Sequence, residues 1–187
     1  MKETINEAVQ VLRAGGVILY PTDTVWGIGC DATNPEAVAK VFAIKQRSEA
    51  KSLVLLASDL DMVARYIKEI PSIAIDLVEV NDAPMTLIYP GAQGLAPAVV
   101  AEDGSVGIRI PLSEFCVELV RRLRVPLVST SANISGEPAP ASFAEISPEI
   151  KDAVDWCAPR RFEQGASGRA SQIIKVGLHG EVEIIRA

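Results

Sequence analysis

Short apolar runs alternate with amphipathic stretches of helical period along this chain, and that alternation narrows its architecture more than any other feature. Val17 to Tyr20, Ser52 to Ala57, Met85 to Tyr89, Val106 to Ile110, Leu127 to Ser129, Gln172 to Val176 and Val182 to Ile185 have the length and composition of strands. A first helix is marked by Thr4 and Glu7 at capping-box spacing, by Ile5, Ala8, Val9 and Leu12 on one stripe, and by Gly15-Gly16 at its end. Asn34 and Pro35 open another in N-cap and first-turn positions, with Val38, Val41 and Phe42 apolar. Ser58 stands where it would cap a helix through Ile67, Ile73 to Val80 begins a further one after Pro71, and another runs from Ser113 to about Arg122. The run at Val106 follows another strand with no helix between them, which predicts a mixed rather than a strictly parallel sheet. The expectation is an α/β fold in a single domain over residues 1–187.

With 187 residues and 49% apolar content, the chain can bury one sizeable core. No stretch approaches the roughly 18 uninterrupted apolar residues of a membrane span, and the opening Met-Lys-Glu-Thr-Ile-Asn-Glu has no apolar run behind a basic start. A soluble, unprocessed protein with no membrane partner is expected. Cys30, Cys116 and Cys157 lie far apart, form no C-x-x-C pair and leave one thiol over under any disulfide scheme, which fits a reducing cytoplasm. The single histidine, His179, stands in a Leu-His-Gly-Glu stretch that reads as a hairpin turn. Without a second imidazole, neither a zinc site nor a His-activated nucleophile is expected, and no protein metal site is assigned. A formal net charge of −6 argues against a protein that coats nucleic acid through its overall field. Local basic clusters occur at Lys45, Arg47 and Lys51, at Arg121, Arg122 and Arg124, and at Arg160, Arg161 and Arg169. The middle one reads as the solvated C-terminus of a helix.

Three polar segments follow strands or helices, where a rigid scaffold can aim them into one cleft. Pro21-Thr22-Asp23-Thr24 leads into Gly27-Ile28-Gly29-Cys30: two hydroxyls and a carboxylate suit an amino-acid ammonium and hydroxyl, and the glycines allow close backbone approach. Taken alone, the same residues read as a turn held by side-chain to backbone bonds. Lys45-Gln46-Arg47-Ser48-Glu49-Ala50-Lys51 sets three cations within reach of a polyphosphate, or simply forms a solvated charge run. It is no Walker loop, since the G-x-x-x-x-G-K-[ST] pattern is absent. Ser129-Thr130-Ser131-Ala132-Asn133-Ile134-Ser135-Gly136 offers uncharged hydrogen-bonding groups directly after an apolar strand, matched to phosphate oxygens or an adenine edge; a plain solvent loop is the alternative.

In order along the chain, Pro21-Thr22-Asp23-Thr24 with Gly27-Ile28-Gly29-Cys30, Lys45-x-Arg47 with Lys51, Val106-Gly107-Ile108-Arg109-Ile110-Pro111, and Ser129-Thr130-Ser131-Ala132-Asn133 with Ser135-Gly136 resemble the YrdC-like family over nearly the whole chain. The family's Lys-x-Arg and Ser-x-Asn signature appears as Lys45, Arg47, Ser131 and Asn133. The resemblance implies a threonylcarbamoyl-AMP synthase: a twisted mixed sheet flanked by helices around a large, positively lined concave cavity. Carried over by position, Lys45, Arg47, Ser131 and Asn133 form the catalytic group, with Lys51 beside them on the nucleotide. Thr22, Thr86, Arg109 and Thr130 contact threonine or nucleotide, and Ser171 and Arg186 close the site over ATP. The sequence departs from the family pattern at Trp26 (usually Tyr), Ser52 (Pro), Asn81-Asp82-Ala83 (often Trp-Pro-Gly), Ala139-Pro140-Ala141 (Ser-Pro-Thr) and Gln172 (Thr). These touch the adenosine side and the cavity wall rather than the signature groups.

The implied substrates are L-threonine, bicarbonate and ATP, with Mg²⁺ carried in by the nucleotide. A carbamate formed from the threonine amine attacks the α-phosphate, so the protein must orient and neutralise rather than provide a nucleophile. Lys45 and Arg47 are expected to be solvent-accessible cations facing the Ser131 loop across a common cleft. Expected partners are tRNA or other double-stranded RNA and the proteins that transfer the threonylcarbamoyl group to tRNA. Two competing readings are a double-stranded-RNA-binding or translation-associated module and a relative that transfers carbamoyl to another acceptor.

Overall fold

The computed structural model describes residues 1–46, 53–163 and 165–187. Helix α1 (Lys2–Arg13) buries the stripe of Ile5, Ala8, Val9 and Leu12 and packs on α5 (Glu114–Leu123). Its start differs from the expected capping box. Ile5 N–H already bonds the Met1 carbonyl, so Thr4 lies inside the helix, and its hydroxyl accepts from Arg161 at 3.3 Å. A capping threonine must sit outside the helix in extended backbone, a place Met1 occupies here. Helix α2 (Pro35–Lys45) begins as expected, the Asn34 side chain accepting from the N–H groups of Glu36 and Ala37. It ends in a left-handed Gln46 with φ 52°, which turns the chain immediately after Lys45.

Helix α3 (Leu60–Tyr66) is capped by Asp59 rather than Ser58: the carboxylate takes the Met62 N–H at 2.8 Å, and Ser58 donates to that carboxylate. Helix α4 (Ser72–Val80) follows Pro71, and α5 is capped by Ser113. Arg121 and Arg122 pair with Glu118 near the end of α5, the solvated role expected of that cluster. A short α6 (Pro148–Ala153) lies in a stretch to which the sequence assigns no element.

Among the described residues the strands form one mixed sheet in the order β7-β1-β2-β6-β3-β5-β4-β8-β9. They are β1 (Ile18–Tyr20), β2 (Gly27–Gly29), β3 (Val54–Leu56), β4 (Met85–Tyr89), β5 (Val106–Arg109), β6 (Leu127–Ser131), β7 (Trp156–Cys157), β8 (Gln172–Val176) and β9 (Val182–Arg186). β1–β7, β3–β5 and β4–β8 are parallel and the other pairs antiparallel. β2 and the far end of β6 are the main departures. The Gly27–Gly29 stretch, to which the sequence assigns no strand, is a buried strand, and it pairs Gly27 with Ser131 and Ile28 with Thr130. That partner draws the first half of the Ser/Thr run into the sheet.

Side-chain packing fixes both Gly29 and the entry to β2. Tyr20 lies across Gly29 and donates to the Val128 carbonyl at 3.1 Å. A Cβ on Gly29 would come within 2.7 Å of the Tyr20 ring and closer still to that carbonyl, so only glycine leaves room. Trp26, just before β2, is buried against Phe143, ring centroids 5.1 Å apart, and its indole N–H donates to Glu163 at 2.9 Å. The same Glu163 oxygen accepts from the Phe143 backbone, so this residue, a departure from the family pattern, ties the 143 and 163 segments to the start of β2.

Candidate active site

Strand register builds the floor of the site. Ser129, Val54, Gly107, Ile88 and Lys175 stand opposite one another in successive strands β6, β3, β5, β4 and β8. One step along, Arg109, Thr86, Ile173 and Arg186 form a second row across β5, β4, β8 and β9. Alternate residues of a strand point to one face, so both rows share a side, while Met85, Leu87 and Ile108 go into the core. An open cavity of about 1150 Å³ lies over these rows, and Thr22, Thr130, Ser131 and Ser171 also line it.

Arg109 is 4% exposed and reaches both carboxylate oxygens of Asp23 through Nη1, at 2.7 and 2.8 Å. Nη2 donates to Thr24 Oγ1 at 3.3 Å. Thr22 Oγ1 accepts from the Thr24 N–H, bonds Thr24 Oγ1 at 2.9 Å and donates to the Val25 carbonyl at 2.7 Å. A hydroxyl has one proton to give, so Thr24 must donate to Thr22. The loop after β1 is therefore held by side-chain bonds of its own, the alternative reading of that segment, while still lining the cavity. Its carboxylate meets an arginine, not a free ammonium.

Further along the same row, Thr86 and Ser171 share a hydroxyl bond of 2.7 Å, and Arg186 Nε donates to the Ser171 carbonyl at 2.9 Å. Thr86, Ser171 and Arg186, separated by up to a hundred positions, thus form one cluster. Lys175 pairs with Asp103 at 2.8 Å on the rim. The lysine's hydrogen bond, then that of Ser105, holds the Asp103 carboxyl well below the usual carboxylate range, and Lys175 is raised by the same contact. Both groups are largely exposed, so the pair is screened and contributes little stability. Among the described residues the charged lining is mixed: Arg109, Lys175 and Arg186 face Glu102 and Asp103.

Lys45 departs from expectation. It is 2% exposed, not solvent-accessible, and its ammonium donates to the carbonyls of Ser131 and Asn133 at 2.7 and 2.9 Å. The left-handed turn at Gln46 and the bond from Ser135 N–H to the Lys45 carbonyl fold α2 against the end of β6. The ammonium therefore secures that strand end from behind. Asn133 Nδ2 donates to the carbonyls of Ile134 and Glu137, and its buried Oδ1 has no partner among the described residues. Lys45 and Asn133 are thus joined to Ser131 at the cavity's edge rather than lining it. Arg47 and Lys51 lie outside the described residues.

Residues 10–187 match the model of the Sua5/YciO/YrdC domain, which carries the description "telomere recombination". The chain belongs to the Sua5/YciO/YrdC family. A threonylcarbamoyl-AMP synthase of Stenotrophomonas maltophilia is 38% identical over 159 residues, 83% of this chain and 86% of the relative. One of Chromohalobacter salexigens is 35% identical over 158 residues, covering 82% and 85%. The crystal structure of P. abyssi Sua5 complexed with L-threonine superposes with a TM-score of 0.83 at 26% identity, over 92% of this chain and 50% of that one. This chain therefore spans about half the length of that Sua5. E. coli YciO matches in fold over 100% of this chain and 89% of its own, with a TM-score of 0.81 at 23% identity.

Within this Sua5/YciO/YrdC domain, sequence reasoning missed Asp23 as the partner of Arg109 and Lys175 with Asp103 on the rim. The acidic residue in Pro-Thr-Asp-Thr was visible, but its partner lies 86 positions away. Lys175 alternates with apolar Ile174 and Val176 in a predicted strand, a period-two signal that places it on the polar face.

Proposed function

We propose that this protein condenses L-threonine, bicarbonate and ATP into threonylcarbamoyl-AMP and pyrophosphate, for threonylcarbamoyladenosine modification of tRNA. One observation carries the reading: Thr22, Thr86, Arg109, Thr130, Ser131, Ser171 and Arg186, drawn from separate stretches of the chain, line a single cavity. The threonylcarbamoyl-AMP synthases that match over more than four fifths of this chain support it, as does the L-threonine complex of P. abyssi Sua5.

In the proposed reaction the threonine amine and bicarbonate give a carbamate with loss of water. A carbamate oxygen attacks the α-phosphorus of ATP, forming a P–O bond as the bond to pyrophosphate breaks. Arg109 meets the threonine carboxylate, and the Ser131 hydroxyl, with Thr130 beside it, meets the nucleotide. Arg47 and Lys51, which follow α2 in the sequence, supply cationic contacts to the triphosphate, which enters as its Mg²⁺ complex. Ser171 and Arg186 bound the site at the C-terminal hairpin. Lys45 acts indirectly, through the Ser131 and Asn133 carbonyls. No described helix is long and apolar enough to cross a membrane, and we place the reaction in the cytoplasm, with tRNA and the threonylcarbamoyl-transfer proteins downstream.

Pyrophosphate release from ATP by the full chain tests the reading. Release should require both L-threonine and bicarbonate. Turnover indifferent to threonine, or none with both present, would remove the assignment.

A further inference from the structure

Asp23 lies behind Arg109 as seen from the cavity. The two side chains are 8% and 4% exposed. Arg109 lines the large cavity, whereas Asp23 lines a second hollow of about 440 Å³ on the other side, beside Phe115, Arg161 and Ser167. The ion pair is a partition between the two. Its acidic side is clamped by backbone: Ser167 N–H donates to the Asp23 carbonyl and Gly168 N–H to the Thr24 carbonyl, both at 2.9 Å. On the cavity side, the same guanidinium heads a chain of hydrogen bonds along the loop, from Nη2–H to Thr24, Thr24 to Thr22, and Thr22 to the Val25 carbonyl. None of Arg109's bonds among the described residues uses Nε.

We propose that Asp23 is a positioning residue for L-threonine, acting through Arg109. This rests on the threonylcarbamoyl-AMP synthase reading. By occupying Nη1 with both carboxylate oxygens, Asp23 holds the guanidinium in one orientation and leaves its Nε–H edge for the carboxylate of an α-amino acid. A buried arginine without a counter-charge would turn toward any available acceptor, including the nucleotide. Asp23 thus reserves Arg109 for the amino acid and keeps the Thr22–Thr24 hydroxyls in register.

Steady-state pyrophosphate release is measured against L-threonine and against ATP for the full-length wild type, Asp23→Asn, Asp23→Glu, Arg109→Gln and the Asp23→Asn/Arg109→Gln double variant, each checked for folding by circular dichroism. Asp23→Asn should raise the threonine KM about tenfold or more while the ATP KM stays within about twofold. Asp23→Glu, which keeps the charge, should recover most of that loss. In the Arg109→Gln background, Asp23→Asn should add less than about twofold, because the two groups act as one unit. An unchanged threonine KM in folded Asp23→Asn, equal rises for both substrates, or additive effects in the double variant overturn the inference and leave the reaction standing. Should Asp23→Asn fail to fold, the double variant strands no buried charge and is compared with Arg109→Gln: equal threonine KM values support the inference, and a further rise overturns it. A wild-type chain that neither binds L-threonine in calorimetry nor releases pyrophosphate overturns the functional reading and this inference with it.

Discussion

Lys45 gives its protons to the Ser131 and Asn133 carbonyls where solvent is almost excluded. Removing the ammonium takes a charged donor from two half-buried carbonyls, each lost bond costing about 1.5–3 kcal/mol. Lys45→Ala should therefore destabilise the fold by about 2–4 kcal/mol, which for a domain of this size lowers Tm by roughly 5–15 °C. Activity should fall as well, because the end of β6 loses its anchor. A thermal melt at the wild-type Tm would contradict this anchoring role for Lys45. Thr22→Val is a milder change at the same scale. It removes the donor to Val25 and the acceptor for Thr24, costing on the order of 1 kcal/mol. Because those bonds end at Arg109, the variant should raise the threonine KM more than the ATP KM; equal changes in the two would speak against that link.

At the scale of elements, β2 and β5 use glycine for opposite ends, and two substitutions separate them. Gly29→Ala drives a methyl into the Tyr20 ring and the Val128 carbonyl of the neighbouring strand, neither of which can yield cheaply. A loss of about 3 kcal/mol is expected in chemical denaturation, with β1, β2 and β6 affected together. Gly107→Ala meets only Thr86 Cγ2 at 3.4 Å and Ile88 Cγ1 at 3.9 Å, on the cavity floor. It should leave stability within about 1 kcal/mol of wild type, while the methyl narrows the cavity and raises at least one substrate KM. Wild-type kinetics for folded Gly107→Ala would mean that no substrate approaches the middle of β5.

For the molecule as a whole, the buried core dictates the response to alkali. Burial pushes the Cys30 and Cys116 thiols up to about 12 from an ordinary value of 9.0. The same cause, above all, raises the hydroxyls of Tyr20 and Tyr89. These groups hold their protons more tightly folded than unfolded, so the unfolded chain releases protons first as pH rises. Their contribution is fully present below about pH 9 and is lost as pH climbs toward about 12. Unfolding free energy measured in denaturant should be level through neutral pH and fall above about pH 9. Stability that increases in that range would contradict the burial. Cys157 is the exposed thiol, so alkylation of the native protein should label it and spare Cys30 and Cys116 until the chain is unfolded.

Local chemistry determined much of this protein. Asn34 and Pro35 specify the start of α2 without help from afar, and the stripe of α1 declares the face it buries. The runs at Met85, Val106, Gln172 and Val182 are strands because their side chains suit a pleated surface. The order of the motifs also marked Thr22, Arg109, Thr130 and Ser131 among the residues that line the cavity. Tertiary structure alone decided β2, whose Gly-Ile-Gly has little strand propensity and is held by Tyr20 on one side and β6 on the other. It decided likewise that β6 runs on to Ser131, that Lys45 is an anchor rather than a surface cation, and that Asp23 faces Arg109. Each of these depends on a partner supplied by a distant part of the chain: Lys45 and Ser131, like Asp23 and Arg109, are 86 positions apart. Hydrogen bonds and ion pairs act over a few ångströms whatever the separation along the chain, so such partnerships leave no periodic trace for a local pattern to reveal.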